Sequence, residues 1–253
     1  MTVKDQKQIE TLKEAGKRLA FVMGEVKKKV VPGVSTKELD ELAEKLIREK
    51  GDIPAFLNYQ PEGARRPYPA TLCVSVNEEV VHGIPGERIL EEGDIVGLDM
   101  GLKHDGFFVD MAETVPVGNI DDESKKLMNI TRESLMVGIE EAKPGNHIGD
   151  IGNAIEEFVK PHKYGLVDVL GGHGVGMAVH EDPFIPNFGD KGDGPEIKEG
   201  MVLALEPMVN MGTPDVTLSS DGYTFKTKDK TRSAHFEHTI LVTANGPEII
   251  TKL

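Results

Sequence analysis

Two aspartates lie on either side of a turn in EEGDIVGLDMGLKHDGFFVDMAE, residues 91–113. Apolar runs flank His104-Asp105-Gly106, so the segment reads as a hairpin with Asp99 on one arm and Asp110 on the other. A turn centred on His104-Asp105 sets the two directly opposite. One centred on Asp105-Gly106 makes them diagonal neighbours. Side chains alternate faces along a strand, so either register leaves both carboxylates on one face within a few ångströms. Ile95, Val96, Leu98, Met100, Phe107, Phe108 and Val109 are apolar enough to bury the hairpin. Two buried carboxylates repel each other and lose hydration, so the pair demands a cation, a shared proton or contact with water.

More donors follow downstream. Glu206 is the one charged residue in the apolar run MVLALEPMV, and Pro207 behind it ends ordinary ladder pairing. Glu237 enters the apolar strand of SAHFEHTILV, with His235 and His238 beside it. His173 sits in GGHGVGMAVHEDP, where flanking glycines let the backbone approach a ligand. That stretch fits neither phosphate-loop spacing, and the lone Cys73 rules out a zinc finger. Four carboxylates and one imidazole exceed the needs of one metal and balance two divalent cations. Bridging carboxylates hold such ions about 3.5–4 Å apart. A set made mainly of oxygen suits Mn, Fe or Co at least as readily as Zn. Water between the ions becomes hydroxide near neutral pH and attacks a polarised carbonyl, which is hydrolysis.

The elements that must position these groups come in an order that repeats. Ile9, Leu12, Leu19, Val22, Met23 and Val26 give residues 4–29 a helical period, stopped by Pro32-Gly33. Ser35 with Glu38 forms a capping box that opens a second helix through about Glu49, buried along Leu39, Leu42, Ala43, Leu46 and Ile47. Residues 53–70 read as loop, 71–117 as strands, 122–142 and about 148–160 as helices, and 166 onward as strands again. Pro144-Gly145 precedes Ile151, Ala154, Ile155, Phe158 and Val159 at the offsets seen after Pro32-Gly33. Val81-His82-x-x-Pro85 returns as Val179-His180-x-x-Pro183, and Asp99 follows Glu92-Gly93 as Glu206 follows Glu199-Gly200. These matches predict a duplication: one α/β (α+β) domain, 1–253, with halves of about 1–115 and 116–253 around a pseudo-twofold axis. Asp99 then corresponds to Glu206 and Asp110 to Glu237, with the ligand site where the halves join.

The 253 residues suffice for a substantial core without disulfides or a structural metal. Twenty-nine basic against 43 acidic residues give a net charge of −14, which repels duplex nucleic acid. The charged N-terminal stretch lacks an apolar core, and no run reaches the ~18 apolar residues of a membrane span. With one cysteine, the expectation is a soluble cytoplasmic protein.

NEEVVHGIP (77–85), DIVGLDMGLKHDGFFVDMA (94–112), GGHGVGMAVHEDP (171–183), ALEPMV (204–209) and FEHTILV (236–242) together resemble the type I methionine aminopeptidases. The resemblance runs in order over essentially the whole chain. It implies the pita-bread fold, antiparallel sheets covered by helices, and removal of the initiator methionine from nascent proteins. It implies two divalent ions of Co, Mn, Fe or Zn, with Asp99 on one, His173 and Glu206 on the other, and Asp110 and Glu237 bridging. Glu206 would shuttle the proton of the attacking water, His180 would stabilise the carbonyl oxygen or tetrahedral intermediate, and His82 would bond the scissile amide. Tyr59, Tyr68, Cys73 and Tyr223 would contribute to the substrate pocket. Partners would be nascent N-termini and, transiently, the ribosome, with no membrane, no sequence-specific nucleic acid and a monomeric chain. Only 30 residues separate Glu206 from Glu237, too few for the large insertion of the type II enzymes. Departures fall at the pocket: Val179 and Tyr223 stand where the family carries larger aromatics, and Phe56 where it often carries cysteine. The 59–70 loop is longer than usual.

Overall fold

The computed structural model describes residues 2–3 and 5–253. Helix α1 (Gln6–Lys27) starts where the Asp5 carboxylate accepts from the Gln8 amide. Of the predicted span 4–29, Lys4 lies outside the described residues. Helix α2 (Thr36–Glu49) opens on the reciprocal Ser35–Glu38 capping box that the sequence announces. Strands β1 (Ile53–Pro54), β2 (Leu72–Val76), β3 (Glu79–Val81), β4 (Ile95–His104) and β5 (Phe107–Pro116) follow. The second half begins with α3 (Asp122–Glu141) and α4 (Ile148–Val159). It continues through β6 (Gly165–Leu166), β7 (Gly171–Gly174), β8 (Glu181–Pro186), β9 (Val202–Leu205) and β10 (Met208–Asn210). The short hairpin of β11 (Val216–Leu218) and β12 (Phe225–Thr227) precedes β13 (Ser233–Thr243) and β14 (Gly246–Ile249).

One large antiparallel sheet runs β1-β4-β5-β13-β9-β7-β8, and β11-β12-β3 form a small second sheet. Helices α1 and α2 bury Leu12, Leu19, Met23, Leu39 and Ile47 against Leu98, Met100 and Leu102 of β4. In the other half, Leu127, Ile151 and Ile155 of α3 and α4 pack on Leu203, Leu205 and Ile240. Each fully buried side chain of this size contributes about 1.5–3 kcal/mol, so the helices are held mainly by these faces. The result is the pita-bread arrangement of two α/β halves.

The duplication is visible in the contacts that dock each half's loops. The Gly33 amide donates to the Leu90 carbonyl at 2.8 Å, and the Gly145 amide to the Ile197 carbonyl at 3.0 Å. The Gly93 amide reaches the Val117 carbonyl at 2.9 Å, and the Gly200 amide reaches Val242 at 2.8 Å. These last two contacts also fix which residues correspond. If Val117 matches Val242, then Ala112 matches Glu237 and Asp110 matches His235. The expected equivalence of Asp110 with Glu237 is therefore corrected by two residues. Sequence spacing could not show it because the connection from β4 to β5 differs in length from that between β10 and β13.

The β4–β5 turn adopts the second of the two registers. Asp105 (φ 43°) and Gly106 (φ 94°) form a two-residue loop, with His104 paired to Phe107. Both central residues need positive φ, which Asp-Gly supplies at low cost. Asp99 then pairs with Ala112 and Gly101 with Asp110, so the two aspartates are diagonal neighbours. The predicted loop 53–70 begins instead with β1, whose Ile53 and Pro54 pair with Lys103 and Leu102.

Candidate metal centre

A line of register crosses the sheet. Cys73 on β2 pairs with Asp99 on β4, Asp99 with Ala112 on β5, and Ala112 with Glu237 on β13. Glu206 follows Leu205, which pairs with His238, and so extends the line past the end of β9. Alternation then puts Asp110, two residues before Ala112, on the same face. Ala112, only 1% exposed, leaves space between Asp99 and Glu237 that a longer side chain would fill. His173 enters from β7, pairing with Ala204. Glycines 172 and 174 are required there, because a Cβ at Gly172 would lie 2.2 Å from the Ala204 carbonyl oxygen.

All eleven residues singled out from the sequence line one cavity: Asp99, Asp110, His173, Glu206, Glu237, His82, His180, Tyr59, Tyr68, Cys73 and Tyr223. Phe56 and Pro61 join them, and Pro61 carried no signal beyond its place in the long loop. Donor atoms of Asp110, His173 and Glu237 lie within 4.8 Å of one another. Glu206 reaches this group from the side, its Oε1 3.7 Å from His173 Nε2. Its other oxygen lies 3.4 Å from Nε2 of His235, close in distance but not aligned as a hydrogen bond. His235 is the residue that sequence reasoning left without a role. Strand alternation places it on the same face as Glu237 and could have found it.

Burial, followed by the charges of Asp110 and Glu206, pushes the Asp99 carboxyl well above its ordinary value. Burial and then the Glu206 charge push Asp110 up to about 8, and burial pushes Glu206 up to about 8. Burial and the three other carboxylates raise Glu237 well above the usual range. The histidines move the other way. Burial and then neighbouring His180 bring His173 down to about 3, and burial with His180 brings His82 to about 4. His180 shows an edge to solvent, yet desolvation by the protein around its ring still lowers its pKa.

These residues fit divalent cations. Asp110 Oδ1 and Glu237 Oε1 are buried without a hydrogen-bond partner, and an unpaired buried carboxylate oxygen is costly. The His173 Nδ1 lies 2.9 Å from the Gly174 carbonyl oxygen, which assigns the proton to Nδ1 and leaves the Nε2 lone pair facing the carboxylates. A neutral imidazole with its free nitrogen beside Asp110, Glu206 and Glu237 has the chemistry of a metal ligand.

The walls beside the acids are aromatic. Tyr68 and Tyr223 meet edge to face with centroids 5.1 Å apart. The Tyr68 hydroxyl donates to the Gly83 carbonyl at 2.9 Å, fixing the turn that presents His82. His82 itself adopts φ 59°, an uncommon left-handed backbone for a non-glycine residue. Tyr223 donates its hydroxyl to the Arg66 carbonyl, which ties the long 59–70 loop over the chamber. The His180 ring stands edge-on to His173 at 4.4 Å, and its Nδ1 lies 2.9 Å from the Tyr59 hydroxyl.

Known proteins share both sequence and geometry. The model of metallopeptidase family M24 matches residues 10–244. Methionine aminopeptidase 1 of Bacillus subtilis (strain 168) is 47% identical over 250 residues, covering 99% of this chain and 98% of that protein. The crystal structure of methionine aminopeptidase from Rickettsia prowazekii superposes with a TM-score of 0.95 at 39% identity, over 99% of this chain and 100% of that one. That of the Thermotoga maritima methionine aminopeptidase gives 0.94 at 42% identity over the full length of both. The chain therefore belongs to metallopeptidase family M24, among its type I methionine aminopeptidases.

Proposed function

We propose that the protein removes the N-terminal methionine from nascent proteins and peptides by metal-dependent hydrolysis of the first peptide bond. The observation that carries this reading is the convergence of three buried carboxylates, the largely enclosed Glu206 and a neutral histidine beside an aromatic chamber. Relatives that match essentially the whole chain bear the name of that activity.

Two divalent ions would be held by Asp99 on one side, by His173 and Glu206 on the other, and by Asp110 and Glu237 between them. Bound there, Co, Mn, Fe or Zn supplies Lewis acidity to the scissile carbonyl and lowers the pKa of water. The chain's own groups do the rest. Glu206 takes the proton of the attacking water and hands it to the departing amine, a general acid–base role. The Tyr59 hydroxyl at Nδ1 of His180 can donate there, and in that tautomer the ring proton is on Nε2, free to donate to the carbonyl oxygen as charge develops. His82 bonds the scissile amide. Tyr59, Tyr68, Cys73 and Tyr223 enclose the methionine side chain, whose thioether packs well on aromatic rings.

The whole of 1–253 acts as one catalytic unit, because the ligands come from both halves. Its setting is the cytoplasm, as a monomer that meets the ribosome transiently; no described helix is long and apolar enough to cross a membrane. The test is hydrolysis of Met-Ala-Ser by the purified protein after chelation and titration with single metals. Activity should vanish on chelation and return with metal. Cleavage of an Xaa-Pro dipeptide alone, or turnover indifferent to chelation, overturns the reading.

A further inference from the structure

The seam between the halves is short. Strands β5 and β13 pair at only three positions, Glu113–Phe236, Ala112–Glu237 and Met111–His238. At each end of this ladder a threonine hydroxyl replaces the next backbone partner. Thr239 Oγ1 accepts from the Asp110 amide at 2.9 Å and donates to the Asp110 carbonyl at 2.7 Å. At the opposite end Thr114 Oγ1 accepts from the His235 amide at 2.9 Å and donates to its carbonyl, also at 2.9 Å. The two clamps are related by the pseudo-twofold axis, and Thr114 and Thr239 are 3% and 0% exposed.

The Thr239 backbone cannot serve Asp110 itself. Its amide donates to Thr251 Oγ1 at 3.1 Å, and its carbonyl accepts from the Ile250 amide at 3.0 Å. Strand β13 exchanges β5 for β14 at this point, with Ile240 already paired to Ile249. The C-terminal segment is in turn locked to α1, where a Cβ on Gly16 would lie 2.1 Å from the Ile250 carbonyl oxygen. A rigid chain of contacts therefore runs from the first helix through the C-terminus to Thr239 and ends on the backbone of Asp110.

We propose that Thr239 is a positioning residue for the metal centre: its hydroxyl, held by the C-terminal segment, sets the backbone from which Asp110 reaches the ions. This rests on the reading of Asp110 as a ligand. Asp110 Oδ1 has no hydrogen-bond partner, and the backbone bond its carboxylate accepts comes from the adjacent Met111 amide, which moves with the same strand, so the place of the carboxylate follows that of the backbone. Thr114 makes the same two bonds to His235, which is outside the ligand set, and it provides a matched comparison.

The experiment is calorimetric titration of Mn²⁺ into the chelated full chain, with thermal melting run on each variant. Thr239→Val should weaken Mn²⁺ binding by roughly tenfold to a hundredfold, the usual effect of losing a group that orients a ligand. Thr239→Ser keeps the hydroxyl and should stay within about threefold of wild type. Thr114→Val should melt about as low as Thr239→Val yet hold Mn²⁺ within that same threefold. If Thr239→Val does not fold, Thr239→Cys takes its place against the same thresholds, since a thiol is a weaker donor and acceptor. Unchanged affinity in the Thr239 variant overturns the proposal, as does an equal loss in Thr114→Val. Asp110→Asn separates the two ideas. If it weakens binding while Thr239→Val does not, only the positioning claim falls; if it leaves Mn²⁺ binding intact, the ligand assignment falls and takes the positioning claim with it.

Discussion

Stripped of metal, the protein should lose stability as pH rises above neutrality. In the metal-free fold, burial pushes Asp110 and Glu206 up to about 8, the Glu206 charge adding to Asp110. In the unfolded chain such groups titrate near 4. Between these values the native state holds protons that the unfolded state has released. The stability of the neutral carboxyls is thus complete below about 4 and lost as pH climbs through about 8. Histidines act oppositely: His82 falls to about 4 and His173 and His235 to about 3, mainly through burial. Their contribution is complete above the unfolded value of about 6.5 and is lost only as pH falls below it. The window from about 6.5 to 8 therefore isolates the carboxylates. Two such groups change the unfolding free energy by up to roughly 3 kcal/mol per pH unit, and Asp99 and Glu237, also raised, act in the same direction. With ~2.1 cal/mol/K of unfolding entropy per residue, a chain this long loses roughly 5 °C per pH unit. Bound cations hold the acids ionised and should abolish most of that slope. Scanning calorimetry across the window, with chelator and with Mn²⁺, measures it. A metal-free melting temperature that is flat or rising, or a slope that metal leaves unchanged, would refute the electrostatic account.

Glu206→Gln should keep the fold and most metal binding while kcat falls by about 10²–10⁴, the usual worth of general acid–base catalysis; wild-type turnover would remove the shuttle role. Tyr59→Phe deletes the hydroxyl on His180 Nδ1 and should lower kcat/KM up to roughly tenfold, equivalent to one hydrogen bond, with Mn²⁺ affinity unchanged. Gly83→Ala would set a Cβ 2.2 Å from the Val74 carbonyl oxygen, beside the left-handed His82. It should cost about 1–3 kcal/mol in a urea melt and depress kcat/KM of the folded fraction; unaffected values for both would show that the turn has slack.

What the sequence made legible is what local chemistry encodes. Ser35 and Glu38 announce a helix start because both halves of the capping box are three residues apart. Asp105-Gly106 announces a tight turn because only such residues accept positive φ cheaply. The candidate ligands stand out because a lone acid in an apolar strand violates the pattern around it. Pairing between β5 and β13 is different in kind. More than a hundred residues separate those strands, and nothing in either segment states their register. The assignment of Asp110 to Glu237 went astray there, and the Thr239 and Thr114 clamps stayed hidden because threonine in a strand is ordinary. His235 was visible beside Glu237, but its approach to Glu206 depends on how β9 and β13 align.

Strand β13 hydrogen-bonds to β5, β9, β10 and β14, and it follows β5 by more than a hundred residues. During synthesis, at about 5–20 residues per second, the β4–β5 hairpin is complete well before β13 leaves the ribosome. Until then Asp110 stands on an open edge strand with Asp99 one strand behind it, where water offsets their repulsion. Docking of β13 removes that water and delivers Glu237 in the same movement. Capture of the ions and closure of the sheet are on this account a single step. An enzyme that processes newborn chains is itself inert until β13 has been made.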